Sequence, residues 1–137
     1  MLKIITICGS MKFFNEIKEL KMNLEKLGFE VLIPSEEGTE IDYTKLTKRD
    51  QSDLKQNFID QHIDKIKKSD YILLANYPKN NIKDYIGANT FLEMGFAYIL
   101  RKPIFILNDI PEQSNTVEIK GLKPIVLNGD LNYLTKL

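Results

Sequence analysis

Five short apolar runs, at residues 2–8, 29–33, 71–75, 104–107 and 124–127, alternate with stretches whose apolar residues recur at helical spacing. The runs are nearly continuous in Ile, Val, Leu and Phe, as in strands covered on both faces, and predict a parallel sheet with helices on each side. Parallel neighbours need a crossover, which the strand–helix alternation supplies. The expected fold is one α/β domain spanning residues 1–137, doubly wound and flavodoxin-like or Rossmann-like, with a five-stranded parallel sheet in the order 2-1-3-4-5. Strands one and three are then neighbours at the switch point. A ligand belongs across the loops that follow Cys8 and Ala75.

Phe14, Ile17, Leu20, Leu24 and Leu27 mark one helical stripe, and Gly28 supplies the left-handed residue that ends it. A second helix is predicted from about Asp53 to Lys68, with Leu54, Phe58, Ile59, Ile63 and Ile66 inward and His62 at the margin of the stripe. Asp60 and Asp64 fall on its solvated side, and Asp70 caps the turn into strand three. A third helix is predicted from near Thr90 to near Arg101, before Lys102-Pro103. The similar segments 102–108 and 123–128 read as two edge strands. Stretches 34–51 and 76–89 exceed the usual connection of roughly 4–6 residues and suit binding loops.

Composition removes several classes of function. Nineteen basic and nineteen acidic residues cancel, so no broad field favours a nucleic-acid polymer or an anionic membrane, although a local basic pocket is compatible with the balance. With 43% apolar residues the chain can bury a core without disulfides. A single Cys8, inside an apolar strand, reads as a core residue. One His and one Cys leave no zinc-ligand spacing, so neither a metal nor another cofactor is expected. The start lacks a cleavable signal, no run is long enough to span a bilayer, and a cytoplasmic location is expected.

Two segments can carry chemistry. Gly9-Ser10 allows a tight turn after strand one, where backbone amides and Lys12 can meet an anion, although plain turn chemistry uses the same residues. Glu93 lies near the start of an apolar helix. Thr90-Phe91-Leu92-Glu93 has capping-box spacing, which would occupy the carboxylate on a backbone amide. Gly95, unfavourable inside a helix, points instead to something approaching closely.

Together, Ile7-Cys8-Gly9-Ser10-Met11, the Ser69-Asp70 pair before strand three and Leu92-Glu93-Met94-Gly95-Phe96-Ala97 resemble the nucleoside 2-deoxyribosyltransferase superfamily. The resemblance is closest to its 2'-deoxynucleoside 5'-phosphate N-hydrolase branch and covers roughly residues 1–107. It implies a retaining attack on the anomeric carbon, with Glu93 as nucleophile and a nucleobase as leaving group. It also implies that Gly9, Ser10 and Met11 hold a 5'-phosphate, with Lys12 where that branch has an arginine. His62 falls where the family has a helical aspartate, and its imidazole suits proton donation to the base. Gly87 stands where relatives carry an aspartate or a serine for the 5' end, leaving Asn89 and Thr90, with Asp84, to take over that contact. Thr6 stands where the family often has a tyrosine.

The resulting expectation is an enzyme that cleaves or exchanges the N-glycosidic bond of a (deoxy)nucleoside or its 5'-monophosphate, with Glu93 attacking and His62 assisting the base. Its partner is a small-molecule nucleoside or nucleotide. The resemblance also implies a homodimer or higher homo-oligomer. Two alternatives stay open: a non-catalytic nucleotide-binding sensor in which Glu93 only caps its helix, and a phosphoribohydrolase acting on ribonucleotides.

Overall fold

The computed structural model describes residues 1–37 and 41–137. Residues 38–40, within the first long loop, lie outside the described residues. Strands β1 (Ile4–Gly9), β2 (Glu30–Leu32), β3 (Tyr71–Ala75), β4 (Ile104–Ile106) and β5 (Ile125–Val126) form one parallel sheet ordered β2-β1-β3-β4-β5. The predicted order is therefore observed. Gly9 of β1 pairs with Ala75 of β3, so both strands end at the same edge and their following loops open side by side.

Alternate strand residues feed two cores, because successive side chains point to opposite faces. On one face Ile5, Ile7, Leu73 and Phe105 pack with Ile17, Leu20 and Leu24 of helix α1 (Phe14–Lys26). On the other, Cys8, Ile72, Leu74 and Ile106 pack with Ile66 of α2 (Lys48–Lys68), Met94 and Ala97 of α3 (Ala88–Ile99) and Ile119 of α4 (Thr116–Gly121). Complete burial of a side chain such as Ile66 contributes roughly 1.5–3 kcal/mol. Gly28 ends α1 with φ 100°, as its position predicts. No described helix is long and apolar enough to cross a membrane.

Several boundaries differ from the sequence reading. Leu2 is exposed, and β1 begins at Ile4, whose amide donates to Asp70 Oδ2 at 2.8 Å. Helix α2 begins five residues earlier than its apolar stripe indicates, because Thr47 caps it by accepting from the Asp50 amide at 3.1 Å. Of its predicted inward residues only Ile66 is buried; Leu54, Phe58, Ile59 and Ile63 are half-buried. Phe58 and Ile59 line a cavity at the end of β1 and β3 instead of packing into the core. Asp60 and Asp64 are exposed. Helix α4 was not foreseen, since six residues carry too little periodicity. The two similar segments are not both edges: β4 is fully buried between β3 and β5, and β5 alone is the edge.

Thr6 and Cys8 share a strand face. Thr6 Oγ1 donates to the Lys65 carbonyl at 3.1 Å and contacts Ser69 Oγ, which pins the C-terminal end of α2 against β1. His62, about one turn earlier, is thereby carried to Cys8. Gly9 is required by crowding, as a Cβ there would lie 3.1 Å from the Ala75 carbonyl oxygen and 3.2 Å from Ile17 Cδ1. Gly9→Ala is expected to lower stability by about 1–3 kcal/mol, read as a lower midpoint in urea unfolding; an unchanged midpoint would contradict this packing.

Candidate active site

The cavity at the C-terminal edge of β1 and β3 has a volume of about 470 Å³, within the range of about 300–1,000 Å³ common for small-molecule sites. Its floor is the turn Gly9–Phe13 and its walls come from α2, the loop after β3 and the first two turns of α3. Gly9, Ser10, Met11, Lys12, His62, Gly87, Asn89, Thr90 and Glu93 all line it. Asp84 does not. It is buried off the cavity wall, with φ 58°, and its carbonyl accepts from Asn76 Nδ2 at 3.1 Å. Thr6 also lies outside the cavity, in the strut to α2.

Glu93 does not cap its helix. Helix α3 starts at Ala88 with Gly87 as the capping residue and no side-chain cap, so Thr90 lies inside the first turn and Glu93 in the second. The capping-box reading thus fails because the capping residue, Gly87, lies three residues upstream of Thr90. At that position the helix dipole does little for the carboxylate, as its effect fades beyond the terminal turn. Instead Glu93 Oε2 lies 2.7 Å from His62 Nε2, with the two side chains 15% and 8% exposed. Cys8 Sγ lies 3.4 Å from the same nitrogen. Burial, with Glu93 adding to it, pushes the Cys8 thiol well above its ordinary range, so it is no free nucleophile. The three ligating atoms lie within 4.8 Å of one another, a cluster that residue spacing did not disclose. Gly95, by contrast, has nothing within 4 Å of an added Cβ, and the close approach expected there is absent from the described residues.

Among the described residues, four lysines line the cavity, Lys12, Lys55, Lys65 and Lys79, against one carboxylate, Glu93. The sequence reading identified only Lys12. Asn80 and Asn81, both at positive φ, form a two-residue turn between Lys79 and Ile82, whose backbones exchange bonds of 2.9 and 3.1 Å. This turn returns Lys79 to the cavity, where Nζ donates to Ser10 Oγ at 3.1 Å. The Asn-Asn pair was the available sequence signal. Asn76 holds the loop's base by donating to the Asp84 and Asp109 carbonyls and accepting from the Asn108 amide. Lys65 Nζ donates to the Ile33 carbonyl at 2.8 Å; burial lowers its pKa, and Glu93 partly opposes that shift.

These features coincide with a family match. The family model for nucleoside 2-deoxyribosyltransferase matches residues 7–126. The chain belongs to that family. Membership places it in the nucleoside 2-deoxyribosyltransferase class of enzymes. The chain is similar in fold to Clostridium botulinum CMP N-glycosidase, BcmB, with a TM-score of 0.53 and 22% identity over 98% of this chain and 97% of that one. It is also similar to the 2-deoxyribosyltransferase of the psychrotolerant bacterium Bacillus psychrosaccharolyticus, with a TM-score of 0.50 and 20% identity over 75% of this chain and 70% of that one. No curated protein matches the sequence.

Removing either partner of the His62–Glu93 contact leaves a little-exposed polar group without its mate. In chelator-treated protein, a double-mutant cycle of His62→Ala and Glu93→Ala is expected to give a coupling of about 0.5–3 kcal/mol in unfolding free energy. Strict additivity would show that the contact adds no stability.

Proposed function

We propose that this family member cleaves the N-glycosidic bond of a nucleoside 5'-monophosphate through a glutamyl-sugar intermediate. The observation that carries the reading is a cavity carboxylate, Glu93, alone of its kind among the described lining residues and held by His62 opposite a turn flanked by lysines. A phosphate dianion at Gly9, Ser10, Met11 and Lys12 meets Lys79 from the facing loop, while Asn89 and Thr90 orient the sugar. Free amides in the first turn of α3 add to the favourable field. The fold neighbour BcmB is a CMP N-glycosidase, and CMP is a molecule of this class.

In this mechanism one oxygen of Glu93 stays with His62 while the other attacks the anomeric carbon. The carbon–nitrogen bond breaks, and the base departs with its electron pair. Ester formation neutralises the carboxylate, which weakens its hold on the His62 proton as the leaving base requires one. His62 is thus first a positioning residue and then the acid. Water next attacks the anomeric carbon, giving a proton back to His62, and the bond from that carbon to Glu93 breaks to free the carboxylate; a second base in place of water gives exchange. Two inversions retain the anomeric configuration. Against the non-catalytic sensor alternative counts the absence of a capping role for Glu93.

A homo-oligomer belongs to the same reading, because half-buried Phe58 and Ile59 of α2 and Leu92 of α3, 48% exposed, leave an apolar margin on the cavity that a second copy can cover. Sedimentation showing only monomer at working concentration would remove that part.

The decisive assay incubates the protein with nucleosides and their 5'-monophosphates, ribo and deoxy, and separates released base from exchanged nucleoside. Base release from a monophosphate is expected, falling at least about 1,000-fold in Glu93→Ala. Normal turnover by that variant ends the nucleophile assignment. Lys79→Met is expected to raise KM for monophosphates by roughly 10–100-fold, the equivalent of one charged hydrogen bond, and to leave free nucleosides unaffected. In His62→Gln kcat is expected to fall most for the nucleobases that leave least readily, whereas a merely structural His62 would lower it alike for every base.

A further inference from the structure

Cys8, His62 and Glu93 come from β1, α2 and α3, yet their Sγ, Nε2 and Oε atoms lie within 4.8 Å of one another. We propose that this cluster is a binding site for one thiophilic divalent cation of the zinc type, and that its occupancy closes the glycosidic centre.

The donor set selects the ion. Thiolate, imidazole and carboxylate together suit zinc or cobalt, whereas magnesium and calcium prefer oxygen alone. Metal–ligand bonds of about 2.0–2.3 Å place tetrahedral ligand atoms roughly 3.3–3.8 Å apart. Cys8 Sγ and His62 Nε2, at 3.4 Å, already have that separation. Glu93 Oε2 and His62 Nε2, at 2.7 Å, need only open to it.

His62 and Glu93 line the cavity and Cys8 lies behind them, so a metal has three protein ligands on one side and an open fourth position toward the 470 Å³ space. On entry the thiol loses its proton to solvent, the imidazole presents its Nε2 lone pair with its proton on Nδ1, and the carboxylate coordinates through one oxygen. Two ligand charges then balance the dication. A neutral assembly limits the cost of placing charge in so buried a corner. Coordination also joins three separate elements and removes Glu93 from attack. This last consequence rests on the proposed nucleophile; the metal site does not.

The test uses the full, tag-free chain stripped by chelator and titrated with Co²⁺, then Zn²⁺, with Mg²⁺ as control. Saturation at one Co²⁺ per chain, a thiolate-to-cobalt charge-transfer band and four-coordinate visible bands displaced by Zn²⁺ are expected. Cys8→Ser is expected to lose the charge-transfer band and weaken binding at least about ten-fold. His62→Gln, titrated in parallel, is expected to weaken it comparably and keeps the test decisive if the Cys8 variant fails to fold. Absence of the band, unsaturable binding, or affinity unchanged in a folded variant overturns the site. In the base-release assay, Zn²⁺ is expected to inhibit in proportion to occupancy. Full activity of the zinc-loaded protein overturns the closure, while failure of every substrate to turn over bears on the proposed reaction and leaves the cobalt result to decide the site.

Discussion

The contact between His62 and Glu93 links α2 to α3 across the end of β1, and the chemistry of the cavity follows from it. A carboxylate this little exposed needs a polar partner, and the imidazole supplies one at 2.7 Å. The partner can be there only because α2 is fixed in rotation and height. Thr6 and Ser69 provide that fixing through the Lys65 carbonyl, and Ile66 seals the same face within the core. The strut and the reactive corner are thus one construction, with Thr6 and Cys8 two residues apart on one strand face.

Charge in this protein is organised locally. The chain is neutral as a whole, yet among the described residues the cavity gathers four lysines around one carboxylate. Neutrality on the large scale removes any long-range attraction for polymers. Concentration on the small scale makes a pocket suited to a compact anion, where reduced solvent strengthens each interaction. Lys65 illustrates the cost of this arrangement: its burial lowers its affinity for a proton, while the nearby carboxylate and the Ile33 carbonyl act to retain it.

The loop after β3 is firmly based. Asn76 and Asn108 clamp its root to the loop after β4, and Gln113 holds its far end by bonds to both the amide and the carbonyl of Ile86. Between these anchors the Asn80-Asn81 turn places Lys79 beside Ser10. A binding loop built in this way presents its cation without an ordering step, which preserves affinity for a charged ligand.

The strand order, the switch-point cavity and the candidacy of Glu93 and the Gly9–Lys12 turn were legible in the residues, because apolar runs, breaks in helical period and glycine turns are local signals. The start of α2 was missed for a related reason: its first turn is polar all round, and its mark is a Thr47 cap rather than a stripe. What Glu93 does could not be read locally, since its capping spacing and its bond to His62 predict the same sequence. Sheet register and the rotation of two helices decided between them. They also brought Cys8 and His62, 54 residues apart, into contact, and returned Lys79 to Ser10 over a separation of 69 residues. Periodicity assigns a residue to a face; only the packing of one face against another determines which atoms meet there.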